Sequence, residues 1–336
     1  MKNVGVDLRD IGQMVIAPFP GNSWNSSIEE LLSDLKLGGV IHFAENIPED
    51  ADLLIELNRK IVEVSLLSGL DTPFITVDEE GARVSRLTDL IGIFPSQKEL
   101  AEIGADGVRS NYEDLGRKVA ELGFNLTWAP VLDVHTNPDN PVIGDRSFSE
   151  NHVVVADFGR IAIRALAGEG LLTSGKHFPG HGNTSVDSHL SLPVEETTLE
   201  TLRIRELYPF RMALEEGVDF FMTAHILYKN IDPKYPATFS KKFLTEILRE
   251  NLGFEGLIVT DDLGMGAVSN GYSIEERIEL SVNAGADLLL VRAGHDGVLE
   301  FLETFRKLVE SGKISSERIS QSVERIRRVK KKIAVV

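Results

Sequence analysis

Eight short apolar runs punctuate the chain: MVIAPF (14–19), GGVIHF (38–43), PFITVD (73–78), FNLTWAPVLD (124–133), LLTSGKHF (171–178), DFFMTAHI (219–226), GLIVTDD (256–262) and ADLLLVRA (286–293). Each is rich in Val, Ile, Leu or Phe, as strands buried on both faces are. Between them the apolar residues recur at helical spacing. SIEELLSDLKL (27–37) opens with Ser27 and carries Glu30 three residues on, which predicts a capping box. ADLLIELNRKIVEVSLLSG, YEDLGRKVAELG and VVVADFGRIAIRALAGEG each predict a helix stopped by glycine. TLRIRELYPFRMALEEG (201–217), SKKFLTEILRENLG, SIEERIELSVNAG and GVLEFLETFRKLVESG repeat the pattern, and SSERISQSVERIRRVKKKIAVV predicts a closing amphipathic helix.

Eight strands alternating with helices predict an α/β fold, a (β/α)8 TIM-type barrel forming a single catalytic domain over 1–336. A doubly wound open sheet is the rival. The barrel is preferred because polar residues gather at the C-terminal ends of several runs. A barrel brings all those ends to one face, whereas an open sheet concentrates its site at one switch point.

Composition narrows the partners. The net charge of −17 disfavours nucleic acid and anionic membrane, since both repel an acidic surface. With no cysteine there are neither disulfides nor thiolate metal sites. The first residues, MKNVGVDLRDIGQMVIAPFPG, have too short an apolar stretch for a signal peptide, and no run approaches the ~20 apolar residues of a membrane span. The expectation is a cytoplasmic monomer.

Chemistry concentrates at the strand ends. The third run leads into Asp78, Glu79, Glu80, Arg83 and Arg86, and the fourth into a long loop with Asp133, His135, Asp145 and Arg146. The fifth ends in Lys176 and His177, the sixth in His225, the seventh in Asp261 and Asp262, and the eighth in Arg292. One charged strand end is ordinarily a solvated cap or a salt bridge; six together mark a site. Because neighbouring strand residues point to opposite sides, one of Asp261 and Asp262 should face the mouth and the other away. His177, His181 and His189 could bind a metal, but their spacings of four and eight match no compact ligand signature, and Pro179 and the glycines preclude a helix there.

Lys176-His177-Phe178-Pro179-Gly180-His181-Gly182, then four residues, then Asp187-Ser188-His189, resembles the signature of the β-N-acetylglucosaminidases of glycoside hydrolase family three. VDEEGARVSR (77–86) is similar to the family's sugar-binding segment, VIGDRSFS (142–149) to its arginine loop and IVTDDLGM (258–265) to its nucleophile strand. The resemblance covers nearly the whole chain and stops at one barrel, so the expectation is a chain without the extra sandwich domain of many members. It implies Asp261 as nucleophile, His189 as general acid/base and Asp187 as the partner of His189. It implies Asp78, Arg86, Arg146, Lys176 and His177 as holders of the non-reducing sugar, with His225 and Met265 also in the pocket. Ala82 stands where the family usually has a second glycine, a harmless change unless that position needs a positive φ.

The implied activity is exo-acting, retaining removal of terminal GlcNAc from small carbohydrate substrates, peptidoglycan-derived fragments among them, with no metal and no cofactor. Retention needs a nucleophile and a proton donor flanking the scissile bond. A histidine is unusual in the second role, and Asp187 can orient it as triad carboxylates do. Gly180 and Gly182 let the loop leave the strand and carry His189 over the pocket. A relative's β-glycosidase or phosphorolytic chemistry, a barrel metallohydrolase using His177, His181, His225 and an aspartate, and a non-catalytic sugar-binding protein are the alternatives.

Overall fold

A computed structural model of the chain describes residues 8–333. The ends of the expected 1–336 domain, and the last three residues of the expected tail helix, lie outside the described residues. Eight parallel strands close on themselves: β1 (Val15–Ala17), β2 (Gly39–His42), β3 (Phe74–Val77), β4 (Leu126–Thr127), β5 (Ser174–Phe178), β6 (Phe220–Thr223), β7 (Leu257–Thr260) and β8 (Leu289–Leu290). One continuous ladder runs β8-β1-β2-β3-β4 and a second β5-β6-β7. Parallel bridges join them at Leu126–Leu172 and Val131–Lys176 on one side and Val259–Leu288 on the other. Closure excludes the open-sheet alternative, because an open sheet leaves two unpaired edges.

The regular part of β4 is much shorter than its ten-residue apolar run. Pro130 has no N–H to donate, so the chain beyond Thr127 continues extended with isolated contacts, Leu132 N–H donating to the Lys176 carbonyl at 2.6 Å. Inside the barrel Phe220 meets Phe74 and Trp128 edge-on, with centroids 5.3 and 5.7 Å apart. The Trp128 indole donates to Thr76 Oγ1 at 3.2 Å, so this bulky filler is both dry and polar-satisfied.

The helices mostly follow their sequence patterns: Ala51–Leu67, Ala105–Glu121, His152–Gly168, Lys242–Asn251, Ile274–Ala284, His295–Glu310 and the closing Ser316–Lys330. Two expectations change. The helix over 26–33 is capped by Asn25, whose Oδ1 accepts from Ser27 and Ile28 N–H at 3.0 and 3.2 Å, not by Ser27 with Glu30. Asn competes equally well with Ser for that role and lies two residues upstream. The single helix expected over 201–217 is two, Leu199–Ile204 and Leu207–Glu215. Pro209 would clash with the Arg205 carbonyl in a continuous helix, so the break falls before it and Pro209 occupies the tolerated first turn. No helix among the described residues is long and apolar enough to cross a membrane.

The closing helix seals the N-terminal end of the barrel. Its Lys330 is buried, with Nζ 2.9 Å from Gln13 Oε1 and over the Phe74 ring. Burial pushes its amine down to about 7. The unfolded chain therefore holds a proton that the folded chain releases between pH 7 and about 10.5, so the wild type gains stability as pH rises through that window. Lys330→Met removes the effect. Denaturation of both proteins from pH 6 to 10 should show the wild type rising relative to the variant by a few kcal/mol; parallel curves would contradict the assignment.

Candidate active site

Asp78 and Glu80 follow β3 two residues apart and therefore face the same side. Both line one cleft at the C-terminal mouth, together with Arg86, Arg146, Lys176, His177, His189, Asp261, Asp262, Met265 and Arg292. Lys176 Nζ lies 2.9 Å from Asp78 Oδ1 and 2.6 Å from Glu80 Oε1. Arg146 clasps Glu80 with two bonds of 2.8 Å each, the bidentate geometry a guanidinium is built for. Burial alone would push the Glu80 carboxyl up; Arg146, then Lys176, overcome that and hold it well below the usual carboxylate range. Lys176 shows the mirror image: burial disfavours its charge, but Asp78 and Glu80 hold the amine above its ordinary value.

Asp133, fully buried, organises the exit from β5. It accepts the backbone N–H of His177 at 3.2 Å, that of His181 at 2.5 Å and the His177 ring at Nδ1, 2.7 Å away. A carboxylate accepting from Nδ1–H leaves Nε2 of His177 directed to the cleft, where Arg146 lies 3.5 Å off. His181 is bonded to Thr184 Oγ1 at 2.8 Å and Ser188 Oγ at 2.9 Å, and burial lowers it to about 4. It is thus a neutral strut under the loop. Among the described residues no group of three or more His, Cys, Asp or Glu is placed to hold a metal ion.

Both members of the acidic pair after β7 border the cleft, contrary to the expectation that one would face away, and they differ in their partners. Asp261 keeps a carboxylate oxygen free for the cleft while its Oδ1 accepts Asp262 N–H at 2.8 Å. Burial would favour its neutral form, but His225, His177, the Asp262 N–H and Lys176 outweigh burial and hold it below the ordinary range. Asp262 instead accepts Gly264 N–H and Arg292 N–H, each at 2.8 Å, and so ties the β7 turn to the end of β8. Across the cleft His189, with its side chain 65 % exposed, is bonded through Nδ1 to Asp187 Oδ1 at 2.8 Å. The same oxygen accepts His189 N–H, also at 2.8 Å, and these bonds draw Asp187 down against the upward push of burial.

The profile of the glycosyl hydrolase family 3 N-terminal domain matches residues 7–329. The chain belongs to glycosyl hydrolase family 3. It is 39 % identical over 288 residues to a β-hexosaminidase of Neisseria meningitidis serogroup C, covering 83 % of this chain and 77 % of that one. It is 33 % identical over 333 residues to β-hexosaminidase A of Pseudoalteromonas piscicida, covering 91 % of this chain but 55 % of that protein. The solved family 3 β-N-acetylglucosaminidase of Paenibacillus sp. str. FPU-7 superposes with a TM-score of 0.94 at 35 % identity, over 100 % of this chain and 64 % of its own. The chain thus spans little more than half of the Pseudoalteromonas relative.

For this family 3 chain, most residues singled out in the sequence meet at one cleft. His225 does not line it. It sits beneath, fully buried, with Nδ1 2.8 Å from Thr238 Oγ1 and Nε2 3.0 Å from the Asp262 carbonyl, bracing the backbone that carries Asp261. Glu80 and Asp133 were legible only as strand-end charges, yet they hold the clamp together. The signal for Glu80 was its two-residue spacing from Asp78; Asp133 had none, since its partners lie more than forty residues away. Ala82 proves not to be a neutral departure: its φ is +46°, a left-handed conformation strained for a side chain.

Two predictions follow from this geometry. Ala82→Gly removes that strain and should be neutral or stabilising by up to about 1 kcal/mol in thermal denaturation, where the same change at an ordinary position costs ~0.5–1 kcal/mol. Glu80→Gln leaves Lys176 and Arg146 short of a counter-charge and should cost about 3 kcal/mol at pH 7. Because the folded-state carboxyl is depressed, its contribution is present at neutral pH and fades as pH falls below ~4. The gap between wild type and variant should narrow in acid; a gap that widens would refute the pairing.

Proposed function

We propose that the chain is a retaining exo-β-N-acetylglucosaminidase acting on terminal GlcNAc. One observation carries the reading: an ionised aspartate with a free oxygen and a carboxylate-bonded histidine line the same cleft, on the nucleophile strand and the loop after β5. The names of the Neisseria and Paenibacillus relatives support the sugar. The natural substrates we propose are peptidoglycan-derived fragments, following the single-barrel members of the family.

In the first step the Asp261 carboxylate attacks the anomeric carbon and the glycosidic C–O bond breaks. Protonated His189 delivers its Nε2 proton to the leaving oxygen, while Asp187 holds Nδ1–H and stabilises the imidazolium. In the second step neutral His189 takes a proton from water. The hydroxyl attacks the anomeric carbon and Asp261 departs as carboxylate, so stereochemistry is retained. Asp78, Arg146, Lys176 and His177 supply sugar-hydroxyl contacts preorganised by Glu80 and Asp133, so little reorganisation accompanies charge development. No step calls for a metal.

Nitrophenyl β-GlcNAc, nitrophenyl β-glucoside and a GlcNAc disaccharide test the scheme together. Asp261→Asn should lose roughly a thousandfold or more in kcat on all substrates. His189→Ala should cripple disaccharide cleavage far more than release of nitrophenol, which leaves unaided. That variant should show a nitrophenol burst and faster turnover with azide, and a chelator should change nothing. Equal losses on both leaving groups, without a burst, would remove His189 from proton transfer. Comparable kcat/KM on nitrophenyl β-GlcNAc and nitrophenyl β-glucoside would remove the hexosaminidase reading.

A further inference from the structure

The loop carrying His189 has little apolar packing of its own: Val186 is 37 % exposed and Leu190 71 % exposed. Its position must come from polar contacts, and those outside the loop's own backbone converge on one short segment. Gly266 N–H donates to the His189 carbonyl at 3.2 Å, Ala267 N–H to the Ser188 carbonyl at 3.1 Å, and Asn270 Nδ2 to the Leu190 carbonyl at 3.1 Å. The segment begins five residues after Asp261, just beyond the turn that Asp262 pins to β8. From below, the Ser188 hydroxyl is met by the His181 ring at 2.9 Å.

Gly266 has an ordinary φ, so no backbone strain asks for glycine there. The demand is spatial. A Cβ at 266 would lie 2.7 Å from both the His189 and the Leu190 carbonyl oxygens, and both obstacles are backbone. The glycine is what allows the two segments to approach within main-chain hydrogen-bonding distance.

We infer that segment 266–270 is the seat of the His189 loop, and that Gly266 is a positioning residue for proton transfer. The inference rests on the proposed roles of Asp261 and His189. Seating the loop on the turn that follows Asp261 makes one rigid element set the nucleophile and the proton donor in mutual register, though they come from β7 and β5. An exposed, weakly packed loop otherwise samples positions in which the imidazole is out of reach of the leaving oxygen.

The test pairs a structural and a kinetic readout on the intact protein. Gly266→Ala should raise amide hydrogen exchange across 186–191 by about tenfold or more, the scale for losing two backbone hydrogen bonds, while exchange in β5 and β7 stays unchanged. Asn270→Ala, at an exposed side chain that folding does not depend on, should give a smaller rise at the same residues. Unchanged loop exchange in both variants overturns the seat, whatever the enzyme's activity. In kinetics, Gly266→Ala should reproduce the His189→Ala pattern: a large loss on the GlcNAc disaccharide, a smaller one on nitrophenyl β-GlcNAc, and inhibition by free GlcNAc within about twofold of wild type. Placed on His189→Ala, it should add almost nothing. A multiplicative further loss on both substrates would mean Gly266 acts on the sugar pocket, and would overturn the positioning role while leaving the glycosidase reading intact.

Discussion

A single buried carboxylate, Glu80, sets the geometry of the barrel mouth. Three separate stretches of chain end on it or beside it: the turn after β3 that carries it, the loop after β4 through Arg146, and β5 through Lys176. Two cations brought together in a dry pocket repel each other strongly. Glu80 and Asp78 turn that repulsion into a clamp whose charges are matched within the protein itself. The neighbouring loops are arranged around this constraint. Arg83 bonds Asp145 at 2.9 Å and the Val142 carbonyl at 2.6 Å, holding the arginine loop against the β3 turn. Asn140 closes it against the β5 exit by donating to the His181 carbonyl at 2.8 Å.

Rigidity and freedom are divided across the cleft. On one side Glu80, Lys176 and Asp133 are buried and ion-paired, and Asp133 holds His177. On the other, the loop carrying His189 is exposed, has few apolar contacts and is held by backbone bonds to the segment behind Asp261.

The far end of the barrel uses the same device for stability alone. Asp287, fully buried before β8, accepts from Ile258 N–H at 3.0 Å and Ser322 Oγ at 2.9 Å and pairs with Arg249, Arg318 and Arg325. It fastens the closing helix to the strands. Buried charge therefore appears at both ends, fastening the closing helix below and the loops around the cleft above.

The barrel was readable from the chain because period and punctuation are local: eight apolar runs, helical spacing between them and glycines at the stops. The candidate residues were readable because strand ends fall at one face once closure is assumed, and because the 176–189 motif is long and specific. Local rules also failed locally. Asn25 took a cap assigned to Ser27, and Pro209 split a helix whose periodicity ran straight through it. What tertiary structure alone decided is which charges meet. Glu80 with Arg146, and Asp133 with His177, are separated by 66 and 44 residues, so no spacing rule connects them. The placing of His225 behind the cleft, the left-handed turn at Ala82 and the close approach of Gly266 to the His189 loop have the same origin. Each depends on the distance between segments far apart in sequence, a quantity that only packing determines.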